Sequence, residues 1–346
     1  MNRNINRLAI TFLLLLASSF YSGIFGQTII KPPRLNPGDT IGLIAPGWLI
    51  TEEQLQESID QISQLGFTPI YTERIIGKFG YFSGTDEQRA EDINEMFLNP
   101  QVKGIFCANG GYGCTRILKL IDYQAIINNP KIIIGYSDAT ALLNAIHLKT
   151  NLVTFHGPIS RTIKYNYSTS LLEKVMISPI ENLLIESYQA YLENINEKPE
   201  YDRYTITSGN ATGELVGGNL TLITSMIGTE YQLDFTNKLV FIEDIGEEPY
   251  RIDRMLTQLI ESGELKKASG IIFGILRGCE KSDESKAPNS FTLREVIEDR
   301  MKPLNIPSVY GLSFGHLNNN FTIPIGIKAK LDAENHTIEL LDIAVE

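Results

Sequence analysis

The chain of 346 residues is poor in the residue types that build disulfide frameworks and metal cages: it has three cysteines, four histidines and one tryptophan. Cys107, Cys114 and Cys279 are too few and too irregularly spaced for either, so no metal site is expected. It also lacks any run of Lys or Arg, with 30 basic against 41 acidic residues and a net charge of −11, which argues against a nucleic-acid partner because phosphate contacts need clustered cations. No Gly-Lys-Ser/Thr signature is present, and a dinucleotide fingerprint begun at Gly111 fails where Arg116 stands in place of a glycine. No cofactor is therefore expected. Internal repeats and low-complexity tracts are missing too.

The first 26 residues read as a secretory signal peptide. Arg3 and Arg7 form a basic start, Leu8–Ala17 is apolar, and Ser18, Ser19, Ser22, Gly23 and Gly26 supply the small-residue exit. The apolar stretch falls short of the roughly 20 residues that span a bilayer. Cleavage after Gly26 would export the remainder, and a periplasmic location is expected.

Beyond Lys31-Pro32-Pro33, short β-branched runs recur at 41–45, 104–108, 131–134, 152–155, 238–242, 270–273 and 308–312. Runs of this kind suit strands buried on both faces of a parallel sheet. Helical patterns alternate with them at 51–65, 86–98, 115–120, 139–148, 220–227 and 252–262, and Thr51, Thr85 and Asp138 sit at helix starts. The reading is an α/β protein of two domains. An N-terminal, mostly parallel sheet flanked by helices is expected over 28–160. The Tyr-, Asn- and Ser-rich stretch 161–204 reads as an interdomain connection with some helix. A C-terminal mixed α/β domain with an antiparallel edge is expected over 205–346.

The most informative stretch is Gly104–Leu118, where a strand runs into Gly110, Gly111 and Gly113 and then a helix. Such a turn would set Cys114 at a helix N-terminus, where free N–H groups lower a thiol's pKa and the N–H groups of Gly111 and Thr115 can form an oxyanion hole. A nucleophile of this kind needs a base and an orienting acid. His147 falls within a helical pattern and His336 in a hydrophilic turn, whereas His156 and His316 follow strand ends, where α/β proteins gather their functional groups. Glu243 and Asp244 leave the strand 238–242, one of them free to orient a base and either able to cap the turn at Ile245-Gly246. A second elbow, Ile134-Gly-Tyr-Ser-Asp-Ala139, offers Ser137 as nucleophile, although Ser137 or Asp138 as a helix cap is the stronger reading.

Taken with Ile134–Asp138, Thr154–Pro158, Gly217–Leu220, Phe241–Glu247, Pro249–Leu256 and Phe314–His316, the stretch Gly110–Cys114 resembles the LD-carboxypeptidase family of serine peptidases, the muramoyltetrapeptide carboxypeptidases. The resemblance implies a two-domain hydrolase with a Ser–His–Glu triad, no metal, and often a homodimer. Its members remove the terminal D-alanine of a murein tetrapeptide by cutting an L,D-amide bond. By motif position, Cys114 falls on the family's nucleophilic serine, Glu243 on its glutamate and His316 on its histidine. Arg116, Arg251 or Arg254 would then bind the substrate carboxylate. Two departures stand out: cysteine replaces serine, and Asn109 precedes the glycine pair where the family commonly has arginine. The reading is a thiol-dependent LD-carboxypeptidase, with a catalytically impaired muropeptide-binding protein as the alternative. A class I glutamine amidotransferase is disfavoured, since the His-x-Glu pairing such a cysteine needs is missing.

Overall fold

A computed structural model describes residues 28–163, 166–194, 198–281 and 289–346. The segment 1–26, read above as a signal peptide, lies outside the described residues. Among those described, no helix is long and apolar enough to cross a membrane.

The N-terminal half runs β1 (Thr40–Ile44), α1 (Glu52–Gln64), β2 (Thr68–Ile70), α2 (Asp86–Leu98), β3 (Val102–Cys107), α3 (Cys114–Ile117), α4 (Tyr123–Asn128), β4 (Ile132–Gly135), α5 (Ala139–Thr150) and β5 (Thr154–His156). The C-terminal part continues with α6 (Asn166–Leu172), β6 (Leu183–Ile185), β7 (Tyr204–Thr207), β8 (Asn210–Asn219), α7 (Leu220–Ser225), β9 (Lys238–Glu243), α8 (Pro249–Glu261) and β10 (Gly270–Gly274). It closes with α9 (Leu293–Met301), β11 (Ser308–Leu312), β12 (Ile323–Ile325), β13 (Lys328–Asp332) and β14 (Thr337–Leu340).

The first sheet has six strands in the order β12-β5-β4-β3-β1-β2, parallel throughout except for β12. Ile132, Ile133 and Ile134 have no solvent exposure, as expected of a strand covered on both faces. Thr51 and Thr85 open α1 and α2 as capping boxes, each accepting from the N–H three residues on while Gln54 and Gln88 reach back.

The second sheet has eight strands in the order β6-β14-β13-β8-β9-β10-β11-β7. Its centre, β8 to β11, is parallel, and both flanks are antiparallel. The division expected from the sequence is crossed twice. The stretch read as a connection supplies β6 to the second sheet, and β12, from the C-terminal part, pairs antiparallel with β5 of the first. One apolar core runs continuously through both parts, joining Ile134 and Phe155 to Leu215, Phe241 and Phe314.

Two features of this topology place the site. Strand order reverses between β1 and β3, so the loops after them diverge and leave a crevice at their carboxyl ends. Helix α5, which starts at that crevice, is bolted to the second sheet: Asn144 Nδ2 donates to the Gly217 carbonyl at 2.8 Å, and the Asn219 N–H donates to Thr140 Oγ1 at 3.0 Å.

Candidate active site

Strand β4 ends at Gly135, and the turn Tyr136-Ser137-Asp138 leads directly into α5. Ser137 has φ +62°, a left-handed conformation that serine rarely adopts. Asp138 does not cap α5 with its side chain. Its carboxylate turns instead to the glycine loop, where Oδ2 accepts the Cys114 N–H at 2.9 Å. The Cys114 thiol lies beside the same carboxylate and feels its charge. This clasp holds the two turns together and leaves Ser137 half-exposed between them. A Cβ on Gly110 would stand 3.3 Å from Ser137 Oγ, so the two turns touch.

Cys114 lies on the inner side of the clasp, with no solvent exposure. Burial, followed by the Asp138 charge and the nearby Cys107, pushes its thiol well above the ordinary range. The sequence suggested a lowered pKa, and the direction is reversed. Helix α3 spans only four residues, too short for a substantial dipole to offset an adjacent carboxylate. Thr115 is in the same turn. Gly111 faces outward, with φ +96° and the Trp48 indole where a Cβ would be, at 2.3 Å. Only glycine fits there.

Glu243 ends β9 with no solvent exposure, and His316 lies in the loop between β11 and β12. The Nδ1–H of His316 donates to Glu243 Oε2 at 2.7 Å. Gly315, at φ +94°, makes this approach possible, since a Cβ there would fall 2.5 Å from the same oxygen. Asn320, itself buried, braces the loop by donating to the Gly315 carbonyl at 2.9 Å. On the other side of the carboxylate, His156 Nε2 stands 3.7 Å from Oε1. Burial alone would push the Glu243 carboxyl up, but the His316 charge, the His156 imidazole and the His316 hydrogen bond together hold it well below the usual carboxylate range. It is an anion built into the core.

The His316 ring packs edge-on against Tyr136, with centroids 4.9 Å apart. This contact brings the paired imidazole to the residue that immediately precedes Ser137. Asp244 has a separate task. It accepts from Asn219 Nδ2, from the Thr221 N–H and hydroxyl, and from the Ile245 N–H, locking the end of β8 to β9. Of the two turn-capping candidates, Asp244 is the cap and Glu243 orients the imidazole.

The three arginines suggested for carboxylate binding are engaged elsewhere or face solvent. Arg116 forks onto Asp86 at 2.9–3.0 Å, Arg251 meets Glu247 at 3.5 Å and the Tyr250 hydroxyl at 3.2 Å, and Arg254 is exposed on α8. None of them contacts the Glu243–His316 pair. Sequence reasoning passed over Arg161, two residues beyond Ile159, whose Nη2 donates to Asn109 Oδ1 at 3.2 Å. Its position after β5 is the same strand-end signal that drew attention to His156. No cluster of three or more His, Cys, Asp or Glu able to hold a metal ion occurs among the described residues.

Two family profiles match the chain: an LD-carboxypeptidase N-terminal domain over residues 41–157 and an LD-carboxypeptidase C-terminal domain over 212–331. The chain belongs to the LD-carboxypeptidase family. It is a peptidase. A probable murein peptide carboxypeptidase of Bacillus subtilis (strain 168) is 38% identical over 315 residues, covering 91% of this chain and 95% of the relative. A solved muramoyltetrapeptide carboxypeptidase from Oxalobacter formigenes superposes with a TM-score of 0.74 at 28% identity, covering 88% of this chain and 99% of that one. The microcin C7 self-immunity protein MccF, in its wild-type apo state, superposes with a TM-score of 0.80 at 27% identity, covering 92% and 100%. MccF has also been solved as an active-site mutant, with a serine, an asparagine and a lysine each changed to alanine.

Proposed function

We propose that this LD-carboxypeptidase family member releases the terminal D-alanine of a murein tetrapeptide, with Ser137 as the attacking group, His316 as its base and Glu243 as the orienting anion. The observation that carries the assignment is the packing of the Glu243-paired His316 ring on Tyr136, one residue from a half-exposed serine held at φ +62°. A strained strand-to-helix turn that presents a hydroxyl is how a nucleophile elbow works. The serine among the active-site residues altered in the MccF mutant supports the same choice. Cys114 suits this role poorly, because an enclosed thiol beside a carboxylate stays protonated.

In this scheme His316 Nε2 takes the Ser137 proton as Oγ adds to the scissile carbonyl. The Asp138 and Gly111 N–H groups face the oxyanion; neither is bonded to a carbonyl or side-chain acceptor among the described residues. His316 returns the proton to the departing D-alanine nitrogen, and water then repeats the sequence on the acyl-enzyme. Glu243 fixes the imidazole tautomer and supports its positive charge. The alternative of an impaired binding protein rested on cysteine having replaced the nucleophile, and it loses its basis once Cys114 is no longer the attacking residue.

The murein assignment is supported by the names of the Bacillus and Oxalobacter relatives, whereas MccF structures carry ligands such as aspartyl sulfamoyl adenosine. The deciding experiment offers purified protein a murein tetrapeptide and, separately, aspartyl sulfamoyl adenosine. Free D-alanine and the tripeptide are expected from the first. Cleavage of the second alone would overturn the substrate assignment. Export through residues 1–26, to the periplasm, is part of the proposal and is checked by a mature N-terminus at Gln27. Homodimer formation, suggested by the family resemblance alone, is checked by mass in solution.

A further inference from the structure

A carboxypeptidase has to recognise a free terminal carboxylate, and the structure contains a half-buried cation with no anion to meet it among the described residues. Arg161 sits in a single 3-10 turn, Ser160–Thr162, beyond β5. Its Nη2 donates to Asn109 Oδ1, and Asn109 Nδ2 is tied in turn to the Leu49 carbonyl at 3.3 Å. Its Nε is closed off from solvent and has no acceptor. Among the described residues, no carboxylate lies within ion-pair distance of Arg161. Arg74, Arg89, Arg116, Arg251, Arg294 and Arg300 each have one; Arg34, Arg203, Arg254 and Arg277 also lack one among the described residues, but Arg161 is the one bonded to the glycine loop through Asn109.

Leaving a half-buried guanidinium without a counter-charge is costly, and in a chain of net charge −11 acidic partners are plentiful. The place of this cation is also telling. Asn109, which accepts from the guanidinium, is followed by Gly110, where an added Cβ would stand 3.3 Å from Ser137 Oγ, so the guanidinium flanks the turn that presents Ser137. The neutral Asn109 stands where the family resemblance calls for arginine, and the guanidinium that reaches it comes from a different strand end. The carboxylate of the departing residue lies about 4 Å, one peptide unit, from the carbonyl under attack. A guanidinium beside that turn is therefore within reach of it.

We infer that Arg161, positioned by Asn109, is the substrate-binding residue that clamps the terminal carboxylate of the peptide and so makes the enzyme an exopeptidase. The inference rests on the reading of Ser137 and His316 given above, because it places the leaving group on the Arg161 side of Tyr136.

The test compares kcat/KM for a murein tetrapeptide ending in free D-alanine with that for the same peptide ending in D-alanine amide. The wild type is expected to prefer the acid by about 100-fold, and Arg161→Gln to cut that preference by about 10- to 100-fold, chiefly through KM. Arg161→Lys, which keeps the charge but loses the fork, is expected to fall between them. Asn109→Asp would place a rival carboxylate on the guanidinium, and a raised KM for the acid is expected without removing Arg161. Should Arg161→Gln fail to fold, Asn109→Asp decides. An unchanged acid preference in a folded Arg161→Gln, or an unchanged KM in Asn109→Asp, overturns the inference. If the wild type cleaves neither peptide, it is the assignment of function that fails; if Ser137-dependent cleavage occurs with no preference for the acid, only the role of Arg161 fails.

Discussion

His316 donates its Nδ1–H to Glu243 Oε2 at 2.7 Å, and the carboxylate that receives it has no solvent exposure. Such a pairing sets the tautomer, leaving Nε2 as the free nitrogen of the ring. Replacing Glu243 by Gln keeps the shape and removes the charge. The variant is expected to lose about 10³-fold or more in kcat with little change in KM, measured by D-alanine release. A loss smaller than tenfold would mean that the pair is structural.

Acid stability follows from the same residue and its neighbour, with opposite signs. The Glu243 carboxyl is held below its ordinary value, so the stability it adds is present above about pH 4.5 and is lost as pH falls toward its folded-state pKa. Asp244 is raised from 3.8 to about 6 by burial and by the adjoining Glu243 charge. The folded state therefore binds its proton more tightly than the unfolded one, and its contribution to stability declines as pH rises from about 4 to 6. Thermal melts of wild type and Asp244→Asn across pH 4–7 check this: the variant should show a shallower decline over that window. Parallel curves would contradict the assignment.

Cys114 is expected to be chemically quiet. Cys114→Ser keeps the backbone N–H that donates to Asp138 and should keep D-alanine release within about threefold of wild type, and native protein should resist alkylation at this position. Stoichiometric labelling of Cys114 with loss of activity would restore the thiol as nucleophile.

Gly111→Ala is expected to damage both fold and site. Its φ of +96° and the indole at 2.3 Å leave a methyl group nowhere to go, so a destabilisation of about 1–3 kcal/mol is expected, with a fall in kcat as the loop N–H moves. A melting temperature within a degree of wild type would show that Trp48 yields easily.

Much of the sheet framework was legible because residues such as Ile132–Ile134 are apolar on both faces, a pattern that a strand sandwiched between helices requires. Glu243 and His316 could be located because both leave the ends of buried strands. Strand β8 was hidden by its own composition, since Gly213, Gly217 and Gly218 carry little strand signal; the first two lie against the backbone of β9 and its entry, and Gly218 against the Thr140 side chain of α5. The return of β12 to the first sheet is a tertiary choice that three residues do not encode. Under the proposed assignment to Ser137, the glycine turn pointed to a different side chain for a related reason. Three glycines mark the turn before Cys114 as special but not which way its side chain faces, and it faces inward. The left-handed Ser137 sits beside an Asp138 whose carboxylate accepts the Cys114 N–H, a contact between two separate turns of the chain.

The most direct measurement is the rate of D-alanine release by Ser137→Ala against wild type and Cys114→Ala, each shown to be folded by its melting temperature. Ser137→Ala is expected to fall by about 10³-fold or more while Cys114→Ala stays near wild type. Retained activity in Ser137→Ala, with activity lost in Cys114→Ala, would contradict the account.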